Sequence, residues 1–340
     1  MNSFGKNITL SIFGESHGAV VGITMDNIPA GISLDISKIK AELERRRPGK
    51  KFTSQREEKD EFEILSGINK EISNGQKLIT NGYPLTMIIR NEDYNSKDYG
   101  NILRPSHADF PAIKKWGKFA DLKGGGHFSG RLTAGIVFAG AVAKEILEKK
   151  YGKFKIKINS EILEIAGDDE KKNFAKIIET MIKENDSVGG TARVIAKNVP
   201  AGLGSPFFDS IESRLSAFYF SIPAVKGVSF GVGEVFAYLK GSDLNDEMRV
   251  KNNEVKFLSN NNGGILGGIT TGEDIIVNLI VKPTASIAKK QKSIEYKNGK
   301  FINKDLEIKG RHDPCILFRA LPVFESVMSI VLLDFIMGEA

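Results

Sequence analysis

The chain has 340 residues, 41% of them hydrophobic and 26% charged, which is the composition of a soluble globular protein with one large domain or two smaller ones. Its net charge is +6, but the lysines are mixed with acidic residues and no nucleic-acid-binding motif is found, so we expect a small anionic ligand and no nucleic acid partner. The single cysteine, Cys315, excludes an internal disulfide and predicts a cytoplasmic protein. We expect neither a secretory signal nor a membrane span, because the apolar stretches are too short or carry a charge.

Strands and helices are predicted to alternate along the chain, which indicates a mixed α/β fold. Residues 171–185 form an amphipathic pattern with one apolar helical face: Phe174, Ile177, Ile178, Met181 and Ile182. Residues 260–272, NNNGGILGGITTG, contain five glycines and predict irregular backbone. The predicted strands are 20–25, 154–165, 191–196 and 273–287, and the predicted helices are 36–47, 134–152, 171–185, 211–220 and, as a core helix, the apolar tail 329–340.

Arginine is the scarcer basic residue and is concentrated in distinctive segments. A planar guanidinium binds carboxylate or phosphate through two parallel hydrogen bonds, so arginines kept in a lysine-rich chain predict an anion site. Six of the twelve arginines lie in short segments that also carry glycine, proline or histidine: Arg45, Arg46, Arg47, Arg104, Arg131 and Arg311.

One segment recurs halfway along the chain. ESHG and NIPAGI, within 15–32, are echoed by DSVG and NVPAGL, within 186–203, at a constant offset of 171 residues. Each copy runs from a turn through a predicted strand to a Pro-Gly turn and a helix. The echo predicts an internal duplication within a single domain, with halves at roughly 8–150 and 180–335, and a chance likeness of two turns is the alternative. The second copy has Val188 in place of His17, so the turn itself does not need the histidine.

The GESHG segment, residues 14–18, formally fits the G-x-S-x-G turn that carries the nucleophilic serine of α/β-hydrolases. In those enzymes the serine follows several strands and leads directly into a helix. Ser16 instead lies near the N-terminus and leads into a predicted strand. We therefore favour a role for His17, with a serine hydrolase as the alternative.

The four histidines all lie in polar segments that carry glycine or proline. They are His17 in GESHG, His107 in RPSHAD, His127 in GGGHFSGR and His312 in KGRHDP. Imidazole exchanges protons near neutral pH, so this distribution predicts one or more general acids. Structural histidines and a zinc site are the alternatives, but no H-x-x-H or C-x-x-C spacing supports zinc, and we expect no metal.

Two further segments predict anion binding. In GGGHFSGRLTAG, residues 124–135, the glycine N–H groups, two hydroxyls and Arg131 can hold phosphate or carboxylate at the start of a helix, and a tight packing turn is the alternative. In GRHDPC, an extended backbone would direct Arg311 and Asp313 to the same side, where they would hold an anion and accept a proton. Neither glycine cluster has the Walker A or Rossmann pattern, which argues against a nicotinamide-binding fold.

About ten distinctive segments follow one another from residue 14 to about residue 325: GESHG with its VVG continuation, RRRPG, RPSHAD, GGGHFSGRLTAG, DSVGG, VPAGLG, SIPAVKGV, NNNGGILGGITTG, KPTASI and GRHDPC. In this order they resemble the segments of chorismate synthases. The resemblance implies a single-domain β-α-β sandwich with internal duplication, assembled as a homotetramer. It implies conversion of 5-enolpyruvylshikimate 3-phosphate to chorismate and phosphate by a 1,4-elimination in the shikimate pathway, with reduced FMN and no net redox change. A noncatalytic anion-binding protein is the alternative from the residues alone.

The same resemblance implies roles for individual residues. His17 would protonate the reduced flavin, His107 would protonate the departing phosphate, and Asp313 would assist proton removal at flavin N5. The substrate-binding residues would be Arg46, Lys51, Arg104, Arg131 and Arg311. The flavin-binding residues would be His127, Phe128, Ser129, Pro223, Ala224, Gly267, Lys282, Pro283, Thr284, Ala285, Ser286 and Arg311.

Three positions depart from the family pattern. Many members have Arg-Ser in place of His127-Phe128, asparagine in place of Pro223, and a small residue or histidine in place of Asn27. The side-chain contacts of His127 and Pro223 to flavin therefore stay open. The resemblance also leaves open whether the protein reduces its own flavin with NADPH or depends on an external reductase.

Overall fold

The computed structural model describes residues 2–53, 60–74, 77–91, 102–308 and 313–339, and it combines helices with antiparallel sheets, as the mixed pattern predicts. Its strands are β1 (Ser3–Phe4), β2 (Thr9–Gly14), β3 (Val20–Asp26), β4 (Ser33–Asp35), β5 (Phe62–Ser66), β6 (Ile68–Asn74), β7 (Lys77–Thr80), β8 (Leu85–Arg90), β9 (Lys157–Ile165), β10 (Gly190–Lys197), β11 (Val225–Phe230), β12 (Met248–Lys251), β13 (Glu254–Phe257), β14 (Ile265–Leu266), β15 (Ile269–Thr270), β16 (Ile275–Val281), β17 (Gln291–Lys297) and β18 (Lys300–Leu306). Its helices are α1 (Ile36–Arg46), α2 (Asp109–Trp116), α3 (Thr133–Lys149), α4 (Phe174–Lys183), α5 (Ile211–Tyr219), α6 (Gly241–Leu244) and α7 (Leu317–Gly338).

Two main sheets have the same connectivity. One has the strand order β1-β2-β3-β8-β5, and the other has the order β11-β16-β10-β9. Apart from β1, the strands β2, β3, β5 and β8 of the first sheet correspond in chain order to β9, β10, β11 and β16 of the second. Within β16, Ile275, Val277 and Leu279 alternate towards the core and are fully buried, as the period of two in a half-buried strand requires.

Helices α3 and α7 pack against each other between these sheets, with α3 on β3 and α7 on β9 and β10. Their close approach depends on Gly140 of α3, because a β carbon there would overlap Ser326 of α7. The molecule is therefore an α+β structure in which helices lie between two sheets.

Helix α7 is long and apolar enough to cross a membrane, but 83% of its most apolar window is buried inside the protein. Its buried Asp334 accepts hydrogen bonds from the backbone N–H groups of residues 6–8, which attaches the N-terminal segment to the core. A carboxylate with these partners belongs to a protein interior. Helix α7 is thus a core helix, as the apolar tail predicts.

Most predicted elements are confirmed, with shifted ends. Strands β3, β9, β10 and β16 and helices α1, α3, α4 and α5 lie where the sequence pattern placed them. Strand β16 ends at Val281 because Pro283 has no N–H for a sheet hydrogen bond.

One residue of a confirmed helix lies outside the core, and one expectation was wrong. Ile182 is 52% exposed, because it lies at the end of α4, whereas Phe174 and Ile178 reach the core. Residues 260–272 contain the short paired strands β14 and β15, and positive φ values at Gly267 and Gly268 make the tight turn between them.

The two recurring turns have matching geometry. The asparagine before each Pro-Gly turn has a positive φ, 61° in the first copy and 60° in the second. Thr80 Oγ1 donates a hydrogen bond to the carbonyl oxygen of Pro29 at 2.7 Å, and Thr270 Oγ1 donates to that of Pro200 at 2.7 Å. A duplicated unit would produce this match, and the internal duplication stays a prediction.

Candidate active site

A cavity of about 900 Å³ is lined by residues from both halves of the chain. The first half contributes the end of α1, the turn before α2 and the glycine-rich turn before α3, and the second contributes residues that follow α5 and β16 and the start of α7. This volume is at the upper end of the range of about 300–1,000 Å³ for small-molecule sites. The cavity is lined by these residues singled out from the sequence: Arg46, Arg104, His107, His127, Phe128, Ser129, Arg131, Pro223, Ala224, Lys282, Pro283, Thr284, Ala285, Ser286 and Asp313.

The other residues singled out for the site lie elsewhere. His17 packs against the glycine-rich turn. Lys51 and Gly267 are described by the structure but do not line the cavity. The Nζ of Lys51 lies over the ring of Phe52, and Gly267 lies exposed in the turn between β14 and β15. Arg311 and His312 lie outside the described residues.

The glycine-rich turn brings two histidines together. Gly124, Gly125 and Gly126 have φ values of 60°, 90° and 53°. A β carbon at Gly124 would overlap the ring of His17, and one at Gly125 would contact the ring of His107 at 3.4 Å. Since neighbouring Cα atoms are about 3.8 Å apart, both imidazoles lie against the same short piece of backbone. The turn needs glycine both for its conformation and for the space that the rings occupy.

The GESHG turn is attached to this glycine-rich turn by two hydrogen bonds. The backbone N–H of Ser16 donates to the carbonyl oxygen of Gly126 at 3.0 Å, and His127 Nδ1 donates to that of Gly14 at 2.9 Å. Ser16 is buried in a turn between strands β2 and β3. A strand-turn-strand setting is not that of a nucleophile elbow, which leads from a strand into a helix.

Asp109 fixes the orientation of both His107 and Arg104. One carboxylate oxygen accepts hydrogen bonds from His107 Nδ1 and Arg104 Nη2, both at 2.7 Å. The other oxygen accepts from the backbone N and the Nε of Arg104, both at 2.9 Å. Burial raises the pKa of Asp109, but hydrogen bonds from His107 and Arg104 lower it further, and the net pKa lies well below its ordinary value. Because Nδ1 is the donor, Nε2 is the atom of His107 that is left to exchange a proton with a ligand.

Arg46 and Arg131 share the carboxylate of Asp60. Arg46 Nη1 donates to one oxygen at 3.1 Å, and Arg131 Nη1 donates to the other. Arg46 also donates to Thr133 Oγ1 at 3.1 Å and to the carbonyl oxygen of Gly130 at 2.9 Å. All three charged residues are less than 9% exposed. Burial raises the pKa of Asp60, but the charges of the two arginines lower it more, so its net pKa is below the ordinary value.

Of the three consecutive arginines at the end of α1, one reaches the cavity. Arg45 pairs with Glu325 of α7 at 2.6 Å, and Arg47 pairs with Glu44 on the surface at 2.7 Å. Successive helical residues are turned by about 100°, so three neighbours face three directions. Arg46 is the member of the three that faces the cavity.

Arg319, on the cavity side of α7, pairs with Asp313. Its Nη1 lies 2.6 Å from Asp313 Oδ2, and its Nε donates to the carbonyl oxygen of Arg46 at 3.0 Å. The hydroxyl of Thr284 donates to the backbone oxygen of Asp313 at 2.7 Å. Asp313 is therefore attached both to α7 and to the segment that follows β16.

The residues that follow α5 and β16 form one wall of the cavity. Lys282 Nζ donates to the carbonyl oxygen of Ser106, next to His107. Burial, and then the charge of Lys226, lower the pKa of Lys282. Ala224 has a φ of 74°, a left-handed conformation that costs a residue with a β carbon about 1–2 kcal/mol.

Comparison with known proteins identifies the family. The sequence profile of the family described as chorismate synthase matches residues 8–337. The chorismate synthase of Archaeoglobus fulgidus is 41% identical over 98% of this chain and 96% of its own length, and that of Pelagibacter ubique is 42% identical over 100% and 98%. The chain belongs to the chorismate synthase family. A solved structure titled Crystal Structure of Chorismate Synthase superposes with a TM-score of 0.74 at 26% identity, covering 99% of this chain and 93% of that one.

Three charged residues of the candidate active site were not singled out from the sequence. Asp109 follows His107 by two residues in RPSHAD, a spacing that could have indicated a local ion pair. Arg319 is an isolated arginine in an apolar stretch, and a charge there indicates a specific partner. Asp60 lies in the acidic stretch EEKDEFE, where nothing local distinguishes it. Among the described residues, no three His, Cys, Asp or Glu side chains are grouped to hold a metal ion.

Proposed function

We propose that this protein is a carbon-oxygen lyase that converts 5-enolpyruvylshikimate 3-phosphate to chorismate and phosphate by 1,4-anti elimination, using reduced FMN with no net redox change. The observation that carries the proposal is the convergence on one cavity of separate arginine-rich and histidine-bearing turns. The family named from the comparisons acts in the shikimate pathway, the route to aromatic amino acids.

The charge of the cavity suits this substrate. The substrate has two carboxylates and one phosphate, and the phosphate alone carries about −1.5 to −2 at neutral pH. Arg46, Arg104, Arg131 and Arg319 line the cavity, each with its guanidinium oriented by a carboxylate. Guanidinium groups held in this way bind carboxylate and phosphate oxygens without first losing rotational freedom. We assign substrate binding to Arg46, Arg104 and Arg131, with Arg311 as a further member expected from the sequence.

The cavity also has room and a suitable wall for FMN. The residues that would hold it line this cavity, where apolar side chains suit a ring system and Lys282 suits a phosphate. When bound, reduced FMN supplies an electron that assists departure of phosphate and regains it in the same turnover. The residues proposed to hold FMN are Phe128, Ser129, Pro223, Ala224, Lys282, Pro283, Thr284, Ala285 and Ser286, together with His127.

Three groups are assigned to proton transfer. His107, protonated at Nε2, donates a proton to the departing phosphate, and Asp109 stabilises the imidazolium through Nδ1. His17, which packs against Gly124, would supply a proton to the bound cofactor. Asp313 accepts a proton, and its ion pair with Arg319 holds the carboxylate in place.

Assembly as a homotetramer in the cytoplasm is part of the proposal. Large apolar side chains lie exposed on this chain, among them Phe207 at 84%, Phe208 at 92%, Tyr238 at 80% and Val250 at 75%. Exposed apolar groups of this size are typical of surfaces that pack against another protein. Light scattering of the purified protein tests the assembly, and a monomer at micromolar concentration would contradict it.

The proposed reaction is tested with purified protein, the enolpyruvyl substrate and photoreduced FMN under anaerobic conditions. We expect equal amounts of phosphate and chorismate. The Ser16→Ala variant should retain turnover, whereas His107→Ala should slow phosphate release far more than it weakens FMN binding. If no chorismate forms at any pH from 6 to 8, the function is wrong and a noncatalytic anion-binding role is favoured. Parallel assays with NADPH in air, with and without an added reductant, determine the source of electrons.

A further inference from the structure

Asp60 lies directly behind the two arginines that face the cavity. Its side chain is 1% exposed, against 3% for Arg46 and 7% for Arg131, and it pairs with both. Arg46 and Arg131 line the cavity, but Asp60 does not. The carboxylate therefore holds the two guanidinium groups from outside the cavity lining.

This arrangement links the two guanidinium groups to each other. Each oxygen of the Asp60 carboxylate accepts from a different arginine, so one planar group sets the distance between two cations that would otherwise repel. Arg46 donates also to the carbonyl oxygen of Gly130, next to Arg131 along the chain. An anion with two or three oxygens would meet two cations of fixed spacing, which favours phosphate or carboxylate over a monatomic ion.

We propose that Asp60 is a positioning residue that holds Arg46 and Arg131 as a preformed pair for one oxyanion group of the substrate. The identity of that substrate rests on the proposed function, but the pairing of the arginines does not. Asp60 would lower the cost of binding, because the guanidinium groups are ordered before the ligand arrives. The opposite role, in which Asp60 competes with the ligand for the arginines, does not fit its place outside the cavity lining.

The test compares Asp60→Asn with Asp60→Glu and with a charge-matched control, Glu63→Gln. Glu63 lies three residues away and pairs with Arg90 on the surface, so its substitution removes the same charge from the same part of the chain. The first probe is inorganic phosphate, whose stabilisation of the folded protein is followed by the melting temperature at constant ionic strength. Stabilisation by a ligand that binds the folded state depends on its concentration relative to Kd, so the assay needs no turnover.

We expect Asp60→Asn to weaken phosphate binding by about tenfold or more, the loss expected from one misplaced charge-assisted hydrogen bond. In turnover assays KM for the enolpyruvyl substrate should rise by a similar factor, while kcat changes less. Asp60→Glu should give intermediate values, and Glu63→Gln should match the unmodified protein. If Asp60→Asn is unfolded at the assay temperature, the phosphate affinity of the folded Asp60→Glu variant decides the question, and we expect it to be weaker than that of the unmodified protein.

Two results would overturn the proposal. Unchanged phosphate affinity in the folded Asp60 variants would show that the arginines need no alignment, and tighter binding would show that Asp60 competes with the ligand. Absence of chorismate formation by the unmodified protein would refute the proposed function without deciding the role of Asp60, because phosphate binding is measured separately.

Discussion

The substitution Asp109→Asn tests the assignment of His107 most directly. The carboxylate accepts one hydrogen bond from His107 and three from Arg104. Asparagine keeps the shape but replaces one acceptor oxygen with an NH₂ group. In one orientation that group would face His107 Nδ1 and Arg104 Nη2, and in the other it would face the backbone N and the Nε of Arg104, so contacts with donors become unfavourable in both.

Two magnitudes follow from this geometry. Asp109 and Arg104 are 3% and 8% exposed, and breaking a buried ion pair by neutralising one partner costs about 3–5 kcal/mol. The remaining amide oxygen still accepts hydrogen bonds, so we expect Asp109→Asn to lower the free energy of unfolding by about 3 kcal/mol, the lower end of this range. If the amide NH₂ faces His107, Nδ1 must become an acceptor, the neutral ring carries its proton on Nε2, and the imidazolium loses its counter-ion. We expect loss of acid catalysis by a factor of about 10²–10⁴.

The stability of the variant should also depend on pH in a defined direction. The folded-state pKa of Asp109 is lowered, so its contribution is fully present above the unfolded pKa of about 3.9 and is lost as pH falls below that value. The difference in unfolding free energy between Asp109→Asn and the unmodified protein should therefore shrink between pH 5 and pH 3. Urea denaturation at the two pH values measures it.

Single-turnover phosphate release at pH 7, followed with saturating substrate and reduced FMN, measures the catalytic part. FMN affinity of Asp109→Asn, measured by fluorescence quenching, serves as the control for a folded cavity. If the variant binds FMN normally and releases phosphate at the unmodified rate from pH 6 to 8, then the Asp109 contact does not prepare His107 as an acid.

Three further predictions concern single residues. Gly124→Ala should displace the His17 ring and reduce turnover about 100-fold in steady-state assays. The control is Gly117→Ala, at a similar φ of 57° with open space around it, which should keep its turnover. Equal turnover of both variants would contradict the contact with His17. Ala224→Gly should raise the unfolding free energy in urea by about 1 kcal/mol by relieving its left-handed strain, and a lower midpoint would refute that strain. Burial raises the pKa of the Cys315 thiol to about 11, so at pH 8 a thiol reagent should label the protein only after unfolding. Rapid labelling of the folded protein would contradict the burial of Cys315.

The elements were predictable from the sequence where periodicity and core contact coincide. Strand β16 and helix α3 are buried along most of their length, so their composition alone predicts them. Ile182 shows the limit, because its helical spacing fits the apolar face of α4 although the core ends before it. How far a core extends depends on the packing of several elements, which no single window of sequence contains.

The residues of the site were predictable where glycine, histidine and arginine occur together, because turns of this kind must lie at a surface or a cavity. The pattern did not distinguish Arg46 from Arg45 on physical grounds, since that choice depends on which face of α1 meets α7. It also gave no role to Asp60, which pairs with Arg131 from 71 residues away, or to Arg319, whose Nε donates to the backbone of Arg46 from 273 residues away. Ion pairs across the fold are set by tertiary packing and leave no local spacing to detect.

The recurring turn makes different contacts in its two copies, and in the second copy these contacts do not need a histidine. In the first copy, the turn places His17 against the glycine-rich segment. In the second, the N–H of Val188 donates to the carbonyl oxygen of Pro314 at 2.8 Å, and the hydroxyl of Ser187 donates to that of Thr284 at 2.8 Å. The first bond holds the segment that carries Asp313, and the second holds the cavity-lining segment that follows β16. Under the proposed roles, one copy thus carries His17 itself and the other anchors the backbone that carries Asp313, so two turns of matching geometry hold proposed proton-transfer groups from both halves of the chain.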